Sequence, residues 1–239
     1  MAVSDPTEAG PAAVDRSAHA RRALSFQVDP RRSPSYRVAR VIVTGVLRLW
    51  FRPRIRHPAN MPADGPAIIA PVHRSNIDFG FAAFVTDRKL FYMAKEELWK
   101  MERFGHLLES LGAFPVQRSG TDRESVRRAE EVLHRGQVLV MFPEGARRSG
   151  EVVEELAEGV AFLAARTGAP IVPVGIGGSQ RAMPKGARFP KPIGITVSIG
   201  EPIEIEPREE GQRVARSQIH RLSETLRERL QAAYDDAAR

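Results

Sequence analysis

His73 and Asp78 stand five residues apart in His73-Arg74-Ser75-Asn76-Ile77-Asp78. Such a pair can do general-base chemistry. A carboxylate that accepts one imidazole N–H fixes the tautomer and leaves the other ring nitrogen to take a proton. Five residues of regular helix turn through about 500°, so on one helix the two side chains would diverge. They meet only if the histidine lies on a loop and the acid in the first turn of a helix. The flanking residues predict that arrangement. Ala67-Ile68-Ile69-Ala70-Pro71-Val72, bounded upstream by Asp64-Gly65-Pro66, reads as a buried strand, and Phe79 to Val85 reads as the apolar face of a helix. Strand-to-helix junctions are where α/β folds collect their chemistry. A competing reading makes His73 a satisfied histidine at a helix start and Asp78 a first-turn acid favoured by the helix dipole.

A second constellation follows another apolar run. Val138 to Phe142 reads as a buried strand that leads into Pro143-Glu144-Gly145-Ala146-Arg147-Arg148-Ser149-Gly150. A glycine-bearing loop with adjacent arginines can offer backbone N–H groups and guanidinium forks to a phosphate. Glu144 either keeps the arginines ordered or meets substrate hydroxyls. Arg118, at the end of the short strand Ala113 to Arg118, is a further cation for an anion. The plainer alternative for the loop is a charged surface turn.

The elements that must position these residues alternate along the chain. Ser33 as N-cap and Pro34 at the first helical position open a strongly apolar helix, residues 33–53, that ends in Trp50-Phe51 and is punctuated by Arg37, Arg40, Arg48, Arg52 and Arg54. It suits a membrane interface, or packs on the core with its arginines in water. Lys89 to Ala94 reads as a strand, and Lys95 opens a helix that Gly112 stops. Thr121-Asp122-Arg123-Glu124 is a capping box for a helix ending at Gly136. Glu154 to Thr167 reads as a helix and Pro170 to Ile176 as a strand. Pro170 and Pro173 place that strand at a sheet edge or make it irregular. Arg181 to Pro192 is a basic, proline-bearing stretch, read as a solvated loop or a basic rim. Ile193 to Gly200 alternates like a strand, and an amphipathic helix closes the chain from Gln212. The organisation is a mobile tail over 1–32 and one domain over 33–239, with a core at 54–206 and a final helical segment at 207–239. The alternation predicts an α/β sandwich with a mixed sheet covered on its faces.

Composition narrows the function. The 239 residues carry a formal charge of +7 and contain no cysteine, so disulfides and thiolate chemistry are excluded and an anionic partner is expected. No apolar run is long enough to span a bilayer, and the N-terminus lacks the apolar core of a signal peptide. Aromatic content is 7% and no nucleic-acid reader motif is present, which disfavours nucleic acid as the partner. His19, His57, His106, His134 and His220 show no metal-ligand spacing, so neither a metal nor a cofactor is expected. There is also no Gly-x-Ser-x-Gly elbow.

Four blocks occur in order: His73-x4-Asp78, Phe114 to Arg118, Phe142-Pro143-Glu144-Gly145-Ala146-Arg147 and Val172-Pro173-Val174. Together they resemble the sequence blocks of the glycerolipid acyltransferase family, over about residues 34 to 205. Lys95-x2-Leu98-x6-Gly105, ahead of Arg118, resembles that family's extended second block. Ala146 departs from the pattern, since these enzymes usually carry a small hydroxyl residue there. The loop's backbone donors are unaffected, so the departure bears on the head group more than on the reaction. The resemblance implies an αββα domain with a mixed, mostly parallel sheet, preceded by a helical element resting on the membrane. It implies acyl transfer from acyl-CoA or acyl carrier protein to the free hydroxyl of a lysophospholipid, 1-acylglycerol-3-phosphate. His73 would be the base oriented by Asp78. Arg118, Arg147 and Arg148 would hold the acceptor's phosphate, Glu144 and Gly145 would shape that pocket, and Lys95 is a weaker candidate. The expected location is the cytoplasmic face of a membrane, peripheral or monotopic. A glycolipid, lyso-ornithine lipid or glycerol-3-phosphate is the alternative acceptor. A non-enzymatic binder of anionic membrane is the alternative outside enzymes.

Overall fold

The computed structural model describes residues 34–95, 108, 112–116, 123–206 and 213–239. The tail 1–32, the Ser33 N-cap, Arg118 and the Thr121 capping box lie outside the described residues. So does the helix expected between Lys95 and Gly112, apart from Leu108. Nothing is described of the side chain of Lys95.

Helix α1, Pro34–Phe51, leads to strand β1, Arg54–Arg56, and then to β2, Ala67–Pro71. Every residue of β2 is buried, as a strand covered on both faces requires. Helix α2, Asp78–Phe81, continues as a 3-10 turn over Ala82–Phe84. Strands β3, Leu90–Lys95, and β4, Ala113–Val116, come next. Helix α3 is Arg123–His134, β5 is Val138–Val140 and α4 is Gly159–Thr167. Strand β6 is Ile171–Gly177, α5 the single turn Ser179–Ala182, β7 Thr196–Ile199 and α6 Arg216–Ala238.

The seven strands among the described residues form one sheet in the order β1-β7-β6-β2-β5-β3-β4. All pairings are parallel except β6 with β7. The expected α/β fold with a mixed, mostly parallel sheet is therefore present. Right-handed crossovers put α2 on one face, beside α1, and α3 and α4 on the other. Helix α6 packs with α4 and lies directly on β6. Gly175 makes that possible: a Cβ there would come within 2.0 Å of the Ala233 carbonyl oxygen.

Four expectations are corrected. Lys95 closes β3, paired with Val116 in register, rather than opening a helix. Strand β5 stops at Val140, because the chain turns after Met141 and the Gly145 N–H donates to the Phe142 carbonyl. Helix α4 begins at Gly159, not Glu154. Its missing first turn is used elsewhere: the Val153 N–H donates to Gln231 Oε1 at 2.6 Å and the Ala157 N–H to the Pro143 carbonyl at 2.8 Å. Finally, β6 is an interior strand, not an edge. Its irregularity is real, however. Between the Val174–Ile199 pair and the Ile171–Ile203 bridge the register slips by one residue, and Pro173, which has no N–H to donate, sits at the slip.

Candidate active site

The parallel core sends the chain after β2 and after β5 out at the same edge of the sheet. That is why His73 and the Pro143–Gly150 loop meet although they are some seventy residues apart. Val72 still belongs to the sheet, its N–H donating to the Val174 carbonyl, and His73 is the first residue beyond it. Asp78 opens α2 and reaches back. Its Oδ2 lies 3.3 Å from His73 Nδ1 and accepts the backbone N–H groups of Arg74 and Ser75, each at 2.6 Å. The carboxylate is fully buried and the imidazole is 14% exposed. Asp78 therefore stands in the first turn of the helix, closes the loop ahead of it and contacts the ring. The ring leans on Phe142, 4.2 Å between centroids, and its Nε2 has no hydrogen-bond partner among the described residues.

Glu144 is buried beside this pair and orders an arginine, but not one of its own loop. Its Oε2 accepts the His73 N–H at 2.7 Å, and Arg74 Nη1 donates to its two oxygens at 2.5 and 2.7 Å. Arg74 also donates from Nε to the Gly150 carbonyl and from Nη2 to the Val152 carbonyl, and its guanidinium sits 5.0 Å from the centre of the Tyr234 ring. One buried cation thus joins the His73 loop, both ends of the Glu144 loop and α6. Arg74 and Tyr234 were given no role from sequence. Arg74 sits inside the first block, but only the fold brings Glu144 and Tyr234 to it.

Gly145 is exposed and left-handed, φ 66°, with open space where a Cβ would stand. Its turn demands glycine for backbone reasons, not for room. Exposed Ala146 follows, its N–H donating to the Glu144 carbonyl. The Arg148 N–H donates to the His73 carbonyl at 2.9 Å, which pins the loop to the histidine, while the Arg148 side chain pairs with Glu154 at 3.3 Å. Arg147 is half-buried between them, and no hydrogen bond or ion pair among the described residues involves its guanidinium. Ser75, beside the histidine, donates its hydroxyl to the Met183 carbonyl at 2.7 Å. The structure therefore brings together His73, Asp78 and Glu144, and it fastens the loop that carries Gly145, Arg147 and Arg148 to the histidine through the Arg148 N–H. Arg118 and the Lys95 side chain lie outside the described residues.

A model of the acyltransferase family matches residues 52–177, which include both loops. A 1-acyl-sn-glycerol-3-phosphate acyltransferase of Bacillus subtilis is 29% identical over 159 residues, 66% of this chain and 77% of that one. The protein of the same name from Streptococcus pneumoniae is 35% identical over 109 residues, 45% of this chain and 39% of its own length. A chloroplastic relative from Arabidopsis thaliana is 24% identical over 163 residues and is matched over 46% of its length. In three dimensions the chain superimposes on a crystal structure of the 1-acyl-sn-glycerophosphate acyltransferase PlsC from Thermotoga maritima. The TM-score is 0.62 at 19% identity, with 94% of this chain and 95% of that one covered.

Proposed function

The chain belongs to the acyltransferase family and is an enzyme of the O-acyltransferase class, and from that premise we propose that it moves a fatty acyl group from a thioester, acyl-CoA or acyl carrier protein, to the free hydroxyl of 1-acylglycerol-3-phosphate. The product is phosphatidic acid. A free hydroxyl is a poor nucleophile at neutral pH, so the reaction needs a base. His73 is that base: Asp78 takes the Nδ1 side of the ring, and Nε2 is left for the acceptor. The hydroxyl oxygen attacks the thioester carbonyl as its proton passes to Nε2. The tetrahedral intermediate then expels the thiolate, which takes the proton back from the imidazolium. No acyl-enzyme is needed. The observation that carries the reading is the 3.3 Å contact of His73 with buried Asp78 beside a loop whose Arg147 has no partner among the described residues.

Arg147, with Arg148 and Arg118, holds the acceptor's phosphate in this reading. Exposed Ala146 supports the second reading of the acceptor, a glycolipid, lyso-ornithine lipid or glycerol-3-phosphate. The outer face of α1 is apolar and open, with Val41 68% and Leu49 83% exposed, and we read it as the surface that rests on a membrane. No helix among the described residues is long and apolar enough to cross one. The test is turnover of lysophosphatidate with palmitoyl-CoA. His73→Ala should lower kcat by ~10²–10⁴. Arg147→Ala should raise KM for the phosphorylated acceptor by about tenfold to a hundredfold, as loss of a charge-assisted contact predicts, and leave KM for the donor unchanged. Undiminished turnover by folded His73→Ala protein would remove the base from the mechanism. An unchanged acceptor KM would remove the phosphate contact.

A further inference from the structure

The basic stretch between α5 and β7 has no part in the chemistry above, yet the topology carries it to the catalytic edge. Gly177 at the end of β6 pairs with Thr196 at the start of β7, and Thr196 pairs in parallel with Arg54 at the start of β1. The chain before β7 and the end of α1 before β1 therefore leave the sheet on the same side as His73. Residues 183–192 are held there at three points. The Met183 carbonyl accepts the Ser75 hydroxyl, the Lys191 N–H donates to the Ala182 carbonyl, and the Trp50 indole N–H donates to the Pro190 carbonyl. At the tip stands Phe189, 84% exposed, an unusual place for a phenylalanine. Lys185, Arg188 and Lys191 around it are also exposed. Between Trp50 and the strand that follows this loop lies a cavity of about 360 Å³ that Arg52 and Arg54 also line.

We infer that this loop is a second membrane-docking element, in which Phe189 enters the bilayer interface and the surrounding arginines and lysines meet anionic phospholipid headgroups. The inference rests on the reading of α1 as a membrane-resting helix and extends it to a specific orientation. The occupant is argued from charge and continuity. No carboxylate occurs from Ser33 to Arg56 or from Ser179 to Gly200, so the charged groups these segments bring to the surface are all cations, of which Arg40 is paired with exposed Asp87. Exposed Leu49 and Trp50 make Phe189 continuous with the open face of α1. An aromatic tip ringed by cations matches the depth profile of a bilayer interface, with apolar rings below and cations among the phosphates. Docked this way, the edge that holds His73 faces the membrane that supplies a lysophospholipid.

The chain has no cysteine, so Phe189→Cys labelled with bimane reports on one site. His134→Cys, exposed at the end of α3 just before β5 at the opposite edge, is the control. With vesicles of phosphatidylcholine and phosphatidylglycerol, the label at 189 should shift to the blue and be quenched by nitroxide lipids, and the label at 134 should do neither. Phe189→Ser should weaken vesicle partitioning about tenfold. Arg188→Gln with Lys191→Gln should weaken it by about tenfold to thirtyfold and remove the preference for phosphatidylglycerol over phosphatidylcholine alone. Both should leave turnover of detergent-dispersed acceptor unchanged. If the protein sediments with anionic vesicles but the label at 189 stays in water, the inference falls and the reading of α1 stands. If the protein ignores vesicles, both fall. A blue shift without vesicles that grows with protein concentration would assign the loop to a second copy of the chain and overturn the inference.

Discussion

Glu144→Gln isolates the buried ion pair that holds the two loops of the candidate site together. Arg74 and Glu144 have fully buried side chains, with Nη1 at 2.5 and 2.7 Å from the carboxylate oxygens. Breaking such a pair from one side leaves an uncompensated buried charge, at a cost of ~3–5 kcal/mol. Part of that is recovered. The Gly150 and Val152 carbonyls at 3.1 and 3.2 Å and the Tyr234 ring remain in place, and the new amide oxygen still accepts a hydrogen bond. The expected loss of stability is about 2–3 kcal/mol, a large share of the ~5–15 kcal/mol typical of a domain. Arg74→Met strands a carboxylate whose remaining donor is the His73 N–H, so about 3–4 kcal/mol is expected. The double variant buries neither charge. It should cost less than the sum of the singles by about 2 kcal/mol, within the range seen for contacting residues. Urea unfolding of the four proteins measures the cycle, and kcat of the folded fraction measures the effect on His73. Since Glu144 holds the histidine's own N–H, Glu144→Gln should lower kcat about tenfold or more through a small displacement of the ring. If either single variant costs under about 1 kcal/mol, or if the two effects add within ~0.5 kcal/mol, the pair does not lock the loops.

Two further outcomes follow from packing and burial. Gly175→Ala would set a Cβ 2.0 Å from the Ala233 oxygen and 2.4 Å from its carbonyl carbon, neither of which can rotate away. It should cost about 3 kcal/mol by displacing α6 and should also lower kcat, because α6 carries Tyr234 and Gln231 to the site; thermal unfolding and turnover would both register it. An unchanged melting temperature would mean that α6 tolerates displacement. Lys89 is buried against the Tyr36 and Phe91 rings, and burial pushes its pKa down to about 8. The folded chain therefore releases this proton before the unfolded chain, whose lysine titrates near 10.5. Between those values the unfolded state binds more protons, so stability rises with pH, and the penalty is fully present below about 8. Relative to Lys89→Met, the wild type should gain up to ~3 kcal/mol between neutral pH and the upper end of that window. Urea midpoints at a series of pH values test this, and a constant gap between the two proteins would refute it.

Local patterning announced most of the elements. Apolar runs bounded by glycine and proline marked β2, β5 and β6, and helical spacing marked α1, α3 and α6, because each signal lies within one turn or one strand of the residues it organises. The two loops of the candidate site were also legible as candidates, since a histidine, an acid and adjacent arginines at strand ends stand out wherever the strands go. What they touch was not. Glu144 meets Arg74, 70 residues away, rather than the neighbouring Arg147 or Arg148. Val153 gives its N–H to Gln231, 78 residues on, and for that reason α4 starts late. Pro173 was legible as an irregularity, but its place in the middle of the sheet depends on β7 coming back antiparallel beside it. Such contacts follow from strand order, and strand order minimises a free energy summed over the whole core, to which no short window of residues has access. The same order brings Phe189 to the edge where His73 stands, a placement that the sequence left open between a solvated loop and a basic rim.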